Sequence, residues 1–230
     1  MKRLFLPFTA VVLFAGCVQT IAIRTMGGIL DYGLEAFNEE SDLQLAKESL
    51  GSNLKLTEAL VKGDPENADL LLLLAQGYSS YALAFVEDED IPRARMFYLR
   101  GRDYGLRILR QERGFRMVES GDLETFERAL DRLSKDDVPA VFWTAFAWGS
   151  YINITRTDIE AFAALPRVNA MMAFVLKHDP SYYYGGAHTY FGSIIASTPA
   201  VLGGKPEIAK EHFEKAMSMT GGKFLTVHLY

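Results

Sequence analysis

The chain carries one cysteine, Cys17, in 230 residues. No intramolecular disulfide can form, and a cysteine-built zinc site is excluded with it. There is no excess of positive charge. The net charge is −5, so no basic excess attracts a phosphate backbone and nucleic acid is not expected as a partner. No Asn-Gly or Asp-Gly turn separates alternating segments, so hairpin-linked strands have no signal. The four histidines, at 178, 188, 212 and 228, form no HExxH. The G-x-S-x-G elbow, the P-loop and GxGxxG are also missing. The sequence therefore supports neither an enzyme nor a cofactor. GGILDYG at 27–33 reads as a flexible lead-in. EDED at 87–90 lacks the spaced oxygen ligands and glycine of a calcium loop and reads as a solvated interhelix loop. The positive stretch at 100–116 reads as a solvated helix face.

What is present begins at the N-terminus, MKRLFLPFTAVVLFAGC. Lys2 and Arg3 form a positive n-region. Leu4 to Phe14 form an apolar h-region too short to span a bilayer comfortably, and Ala15, Gly16 and Cys17 follow. The pattern resembles a bacterial lipoprotein signal, with Phe14 where leucine is usual. It implies cleavage after residue 16, lipidation of Cys17 and a tether over 17–30. The net charge then moves from −5 to −7. Several acyl chains, at about 0.8 kcal/mol per buried CH₂, hold such a chain stably to a membrane. Val18 in place of aspartate favours the outer membrane, facing the periplasm.

Beyond the signal the pattern is helical. Apolar residues at 49% and charged residues at 23% are ordinary for a globular protein. Ser41 to Gln44 reads as a capping box ahead of a helix to about Val61, and Thr157 to Glu160 as another ahead of a helix to about Lys177. Leu123, Phe126, Leu130 and Leu133 recur at spacings of three and four, one amphipathic stripe. The five leucines at 70–74 predict a helix covered on most sides.

A shift of 115 residues lays KGDPENADLLLLLAQGY at 62 on KHDPSYYYGGAHTYFG at 177. Asp64 and Pro65 fall on Asp179 and Pro180, read as an N-cap with proline at N1. Gly77 falls on Gly192, each predicted to let a facing helix approach. Ala94, Tyr98 and Gly101 fall on Ala209, Phe213 and Ala216, a spacing that resembles the second helix of tetratricopeptide (TPR) repeats. Each unit is longer than the standard one, with extra loops in AFVEDED and STPAVLGGKP. The expected fold over 31–230 is all-α, stacked antiparallel helical hairpins forming a compact bundle with an internal or concave cavity.

The lipoprotein signal, the TPR-like pairs and YYYGGAHTYFGSIIASTPAVLGGKPEIAKEHFEKAMSMTGGKFL together resemble the TatT family, TPR-containing lipoproteins associated with tripartite ATP-independent periplasmic (TRAP) transporters. The likeness is strongest from about Pro166 onward. Members continue with further helices, so this chain is expected to lack a C-terminal hairpin. The resemblance implies a homotrimer that docks the TRAP substrate-binding protein and binds or relays a small hydrophobic or organic-acid ligand. An alternative role is a TPR lipoprotein scaffold for outer-membrane protein or envelope assembly, which predicts a peptide groove and no small-ligand cavity.

The aromatic stretch 182–191 holds the candidate site. On a regular helix Tyr184, His188, Phe191 and Ile195 share one face, and Tyr183, Ala187, Tyr190 and Ile194 another. Tyr182 and Phe191 read as packing rings. Tyr184, His188 and Tyr190 are expected to line the inner surface, with Gly185-Gly186 letting the chain bend. Lys205 and Lys223, each flanked by a glycine pair, are candidates for holding a carboxylate. Trp143 and Trp148 read as core.

Overall fold

In the computed structural model, the described residues are 33, 36–37, 39–116, 121–155, 157–199, 201 and 203–222. The signal, Cys17 and Lys223 lie outside them. Every regular element among the described residues is helical, as the sequence predicts. The chain divides into two units, Met1–Ile108 and Leu109–Tyr230, each taken by itself below.

In the first unit, α1 spans Leu43–Gly63, α2 Ala68–Phe85 and α3 Ile91–Leu109, the last crossing the boundary by one residue. The cap of α1 is Asp42, one residue beyond the expected Ser41. Its carboxylate accepts from the backbone N–H groups of Gln44 and Leu45, a favourable place for a negative charge beside the helix dipole. Asp64 does not start α2 but closes α1, and Asn67 caps α2 by accepting from Leu70 N. The Asp-Pro pair thus marks a stop, because proline disfavours α geometry in the residue before it and Asp64 is non-helical (φ −139°, ψ 83°). Of the five leucines, Leu70, Leu71 and Leu74 are at most 1% exposed. Leu72 and Leu73 are half-buried, so the helix is covered on most sides as predicted.

In the second unit, α4 spans Leu123–Leu130 and a 3₁₀ turn Lys135–Asp137. Next come α5 (Val138–Ile154), the single turn α6 (Ile159–Phe162), α7 (Leu165–His178), α8 (Tyr182–Ser197) and α9 (Pro206–Thr220). Phe126, Leu130 and Leu133 are buried and Leu123 stays partly exposed at the helix start. α5 carries no charged residue and is buried nearly all round, Trp143 and Trp148 included. Such a helix belongs at the centre of a unit. α7 packs on it where an added Cβ at Gly149 would lie 3.3 Å from Val168 Cγ1.

The helix expected from Thr157 to Lys177 is broken in two. Asp158, not Thr157, caps α6 by accepting from Glu160 N and Ala161 N. Pro166 then sits in the first turn of α7, where its missing N–H costs nothing. Ile159–His178 is apolar enough by length and composition to cross a membrane, yet Val168, Met171, Met172 and Val175 are spent on core packing at 1% exposure or less.

The 115-residue shift is visible in the element bounds. α1 ends at Gly63 and α7 at His178, and α3 begins at Ile91 and α9 at Pro206. Ala94 and Ala209 are both buried, as are Gly101 and Ala216. Both repeat glycines sit under a close neighbour, but the neighbours differ. An added Cβ would lie 2.8 Å from Leu54 of α1 at Gly77, and 2.8 Å from Phe213 of α9 at Gly192. One glycine faces the helix before it and the other the helix after.

Candidate functional site

The stretch around Tyr184 does not form the regular helix that its periodicity suggests. Tyr183 (φ 46°, ψ 57°), Tyr184 (φ 60°, ψ 33°) and Gly185 (φ 74°, ψ 32°) make a left-handed turn, and right-handed geometry begins at Gly186. The expected bend at Gly185-Gly186 is there, but it starts two residues earlier, so helical faces cannot be assigned to Tyr183 and Tyr184. Left-handed geometry costs about 1–2 kcal/mol for a residue with a Cβ, so packing must hold both tyrosines there.

That packing is aromatic. The Tyr183 ring lies 4.6 Å from Trp143 edge-to-face and 5.5 Å from Phe142, and Tyr182 meets Phe142 at 5.3 Å. An added Cβ at Gly186 would lie 2.6 Å from Phe142 Cε2 and Cζ, and one at Gly185 3.1 Å from Ala216 Cα. The two glycines let α5 and α9 close on the turn from two sides. Burial raises the Tyr182 hydroxyl to about 12 and pushes Tyr183 upward too. Tyr184, by contrast, is 52% exposed, its ring 5.4 Å from that of Tyr183.

His188 follows one turn later, 6% exposed. Its Nδ1 is 2.9 Å from His212 Nδ1 of α9. His212 also meets Phe191, which packs on Tyr190. Tyr190 itself points elsewhere, its hydroxyl donating to Asn169 Oδ1 of α7 at 2.6 Å. Burial raises its pKa. Lys205 is exposed at the N-terminal end of α9. At 1.5 Å per residue it stands about 20 Å along the axis from Met219, whose sulfur lies beneath Gly185. The structure thus brings Tyr184 and His188 to one end of the α8–α9 hairpin, turns Tyr190 toward α7 and leaves Lys205 at the opposite end.

Among the described residues, each unit carries an open groove. One of about 680 Å³ runs along α1, with Lys47, Glu48, Ser52 and Lys55 on its walls and Tyr81 among its lining. The other, of about 500 Å³, runs along α9 beside Ala209, Phe213 and Met217. None of Tyr184, His188, Tyr190 or Lys205 lines either one.

Sequence reading misses a polar hub in the first unit. Glu58 Oε1 of α1 accepts from the Tyr78 hydroxyl of α2 at 2.6 Å and the Tyr104 hydroxyl of α3 at 3.0 Å. Arg100 Nη1 donates to the Tyr78 hydroxyl at 3.2 Å, and Lys55 pairs with the other carboxylate oxygen. Burial works to raise the Glu58 pKa, but the bonds from Lys55, Tyr78 and Tyr104 outweigh it and hold the carboxyl below its usual range. Burial and the neighbouring carboxylate push both tyrosines up to about 12. The one sequence signal is Arg100, Tyr104 and Arg107 on one face of α3 at spacings of four and three. Arg107 Nη2 reaches the Pro65 carbonyl at 2.7 Å. Two of the stretches read as solvated are therefore partly structural. Leu106, Leu109 and Phe115 of 100–116 are buried, and Glu87 of the acidic loop accepts from the Tyr98 hydroxyl.

Over residues 39–230 the chain matches the family described as the TRAP transporter T-component. An uncharacterized protein of Treponema pallidum (strain Nichols) is 30% identical over 242 aligned positions, which span 90% of this chain and 74% of that protein.

Proposed function

Because the chain belongs to the TRAP transporter T-component family, we propose that it docks the transporter's soluble substrate-binding subunit and holds or relays a small organic-acid or hydrophobic ligand there. The family match supports a membrane-associated, periplasm-related location beside a TRAP transporter. It is the observation that carries the reading, because it covers all of the helices described above.

The mechanism proposed is binding without bond making. Supporting it, the tyrosine turn keeps two non-glycine residues in a costly backbone state and presents one of them, Tyr184, to solvent. Strain of this kind persists where packing over-determines it and clusters at ligand clamps. Tyr184 and His188 are the proposed contacts, with Lys205 and Lys223 as cations for a carboxylate and Tyr190 bracing the site through Asn169. We further propose lipidation at Cys17, which would place the chain on a membrane facing the periplasm, and assembly as a homotrimer.

The test is a titration of the lipid-free chain, with Cys17→Ser, against the TRAP substrate-binding protein of the same organism, stoichiometry being read by sedimentation. A saturable complex at micromolar concentrations is expected. No complex, with or without the transported acid, would move the function to the envelope-assembly scaffold.

A further inference from the structure

The α8–α9 hairpin is joined at one point by two imidazoles. At 2.9 Å between His188 Nδ1 and His212 Nδ1, one nitrogen donates and the other accepts, so at least one ring must be neutral. The rings are tilted at 52° with centroids 5.1 Å apart. His188 is buried, so solvent has little access to replace its partner.

The charged groups acting on the pair stand on α9. Lys215 acts on both rings, and Glu211 acts on His212. Two uncharged groups meet this stretch of α8 from α5 and α7, Phe142 beneath Gly186 and Asn169 at Tyr190. Burial, helped by His212 and Lys215, holds His188 below the ordinary histidine value of 6.5. Burial and Lys215 lower His212 as well, against a smaller opposing pull from Glu211.

We propose that the His188–His212 contact is a proton-sensitive clasp, shut while at least one ring is neutral and released when both carry a proton. The second proton removes the accepting lone pair and sets two cations side by side next to Lys215. The consequence reaches the tyrosine turn. One helical turn from the clasp, Gly185 rests on Ala216 and Met219 of α9, so one of the two surfaces that close on the tyrosine turn belongs to the same hairpin, the other being the Trp143 and Phe142 rings of α5. When the hairpin loosens, the strained turn is the segment with most to gain by relaxing. The sign follows from the lowered values. The clasp contributes fully above pH 6.5 and is lost as pH falls through the folded-state values of the two rings.

Amide exchange of the full chain, followed by mass spectrometry at about pH 7.5 and about pH 5 and corrected for the intrinsic pH dependence of exchange, compares wild type with His188→Gln/His212→Gln. In wild type, peptides from 183–197 and 206–220 exchange at least about tenfold faster at the lower pH while those of α1 and α2 do not, and the double variant loses that difference. Equal acceleration in both proteins, or acceleration spread evenly over α1 and α2, overturns the clasp. A second readout needs no variant. In ¹⁵N-histidine-labelled wild type near pH 7.5, a scalar coupling joins two imidazole nitrogens across the hydrogen bond and vanishes on acidification. Its absence at the higher pH also overturns the proposal.

Discussion

The Tyr78 hydroxyl lies 2.6 Å from Glu58 Oε1, and Tyr104 donates to the same oxygen from a third helix. One carboxylate oxygen thus ties α1, α2 and α3 together. Glu58→Gln keeps the shape but removes the charge that strengthens both bonds, at an expected cost of about 1–3 kcal/mol in urea unfolding. The pH dependence has a definite sign. With a folded-state pKa held below 4.5, Glu58 contributes stability that is complete above 4.5 and lost as pH falls through the folded value. The glutamine variant should therefore show a shallower acid-side loss than wild type, and parallel curves would deny the hub a role in stability.

Gly186 has no room for a methyl group, because Phe142 stands 2.6 Å from where its Cβ would be. Gly186→Ala is expected to cost about 1–3 kcal/mol by overpacking. Phe142→Leu in the same chain should recover part of that loss, giving a favourable coupling in a double-mutant cycle. Strict additivity would mean that the alanine finds space elsewhere.

The two tyrosines of the left-handed turn predict an unusual substitution pattern. Tyr184→Gly exchanges a strained, exposed aromatic for a residue at ease with positive φ. It relieves about 1–2 kcal/mol of strain against roughly 0.5–1 kcal/mol of added chain entropy. Thermal unfolding should show stability unchanged or raised by up to about 1 kcal/mol. Gly185→Ala moves the other way, by about 2–4 kcal/mol, because strain and the contact with Ala216 add. A large loss from the first change, or none from the second, would refute this backbone assignment.

Tyr190 separates bracing from binding. Tyr190→Phe removes the bond to Asn169 and should cost about 1–2 kcal/mol of stability. Binding of the substrate-binding subunit should stay within about twofold of wild type. A variant as stable as wild type but defective in binding would instead place the hydroxyl in the interface.

The helices, the 115-residue repeat register and the buried tryptophans are legible in sequence because they rest on local periodicity and on side-chain size. Caps are misplaced by one residue at Asp42 and Asp158, since neighbouring Ser-Asp and Thr-Asp pairs offer two candidate acceptors and only backbone geometry chooses between them. The Asp-Pro pairs, read as helix starts, instead close α1 and α7 at Asp64 and Asp179. Around Tyr184 the periodic reading fails for a physical reason. A left-handed turn has no residue signature beyond its glycine, and it exists because Trp143, Phe142 and Ala216 close on it from distant parts of the chain. His212 and Glu58 carry no local motif either, each meeting its partner twenty or more residues away.

The most direct test is the footprint of the complex. Hydrogen exchange of the chain is measured with and without saturating TRAP substrate-binding subunit. The account predicts protection at 182–188 and on the facing part of α9, weakened in Tyr184→Ser. Protection confined to the α1 groove around Lys47 and Ser52, with no change at the tyrosine turn, would contradict it.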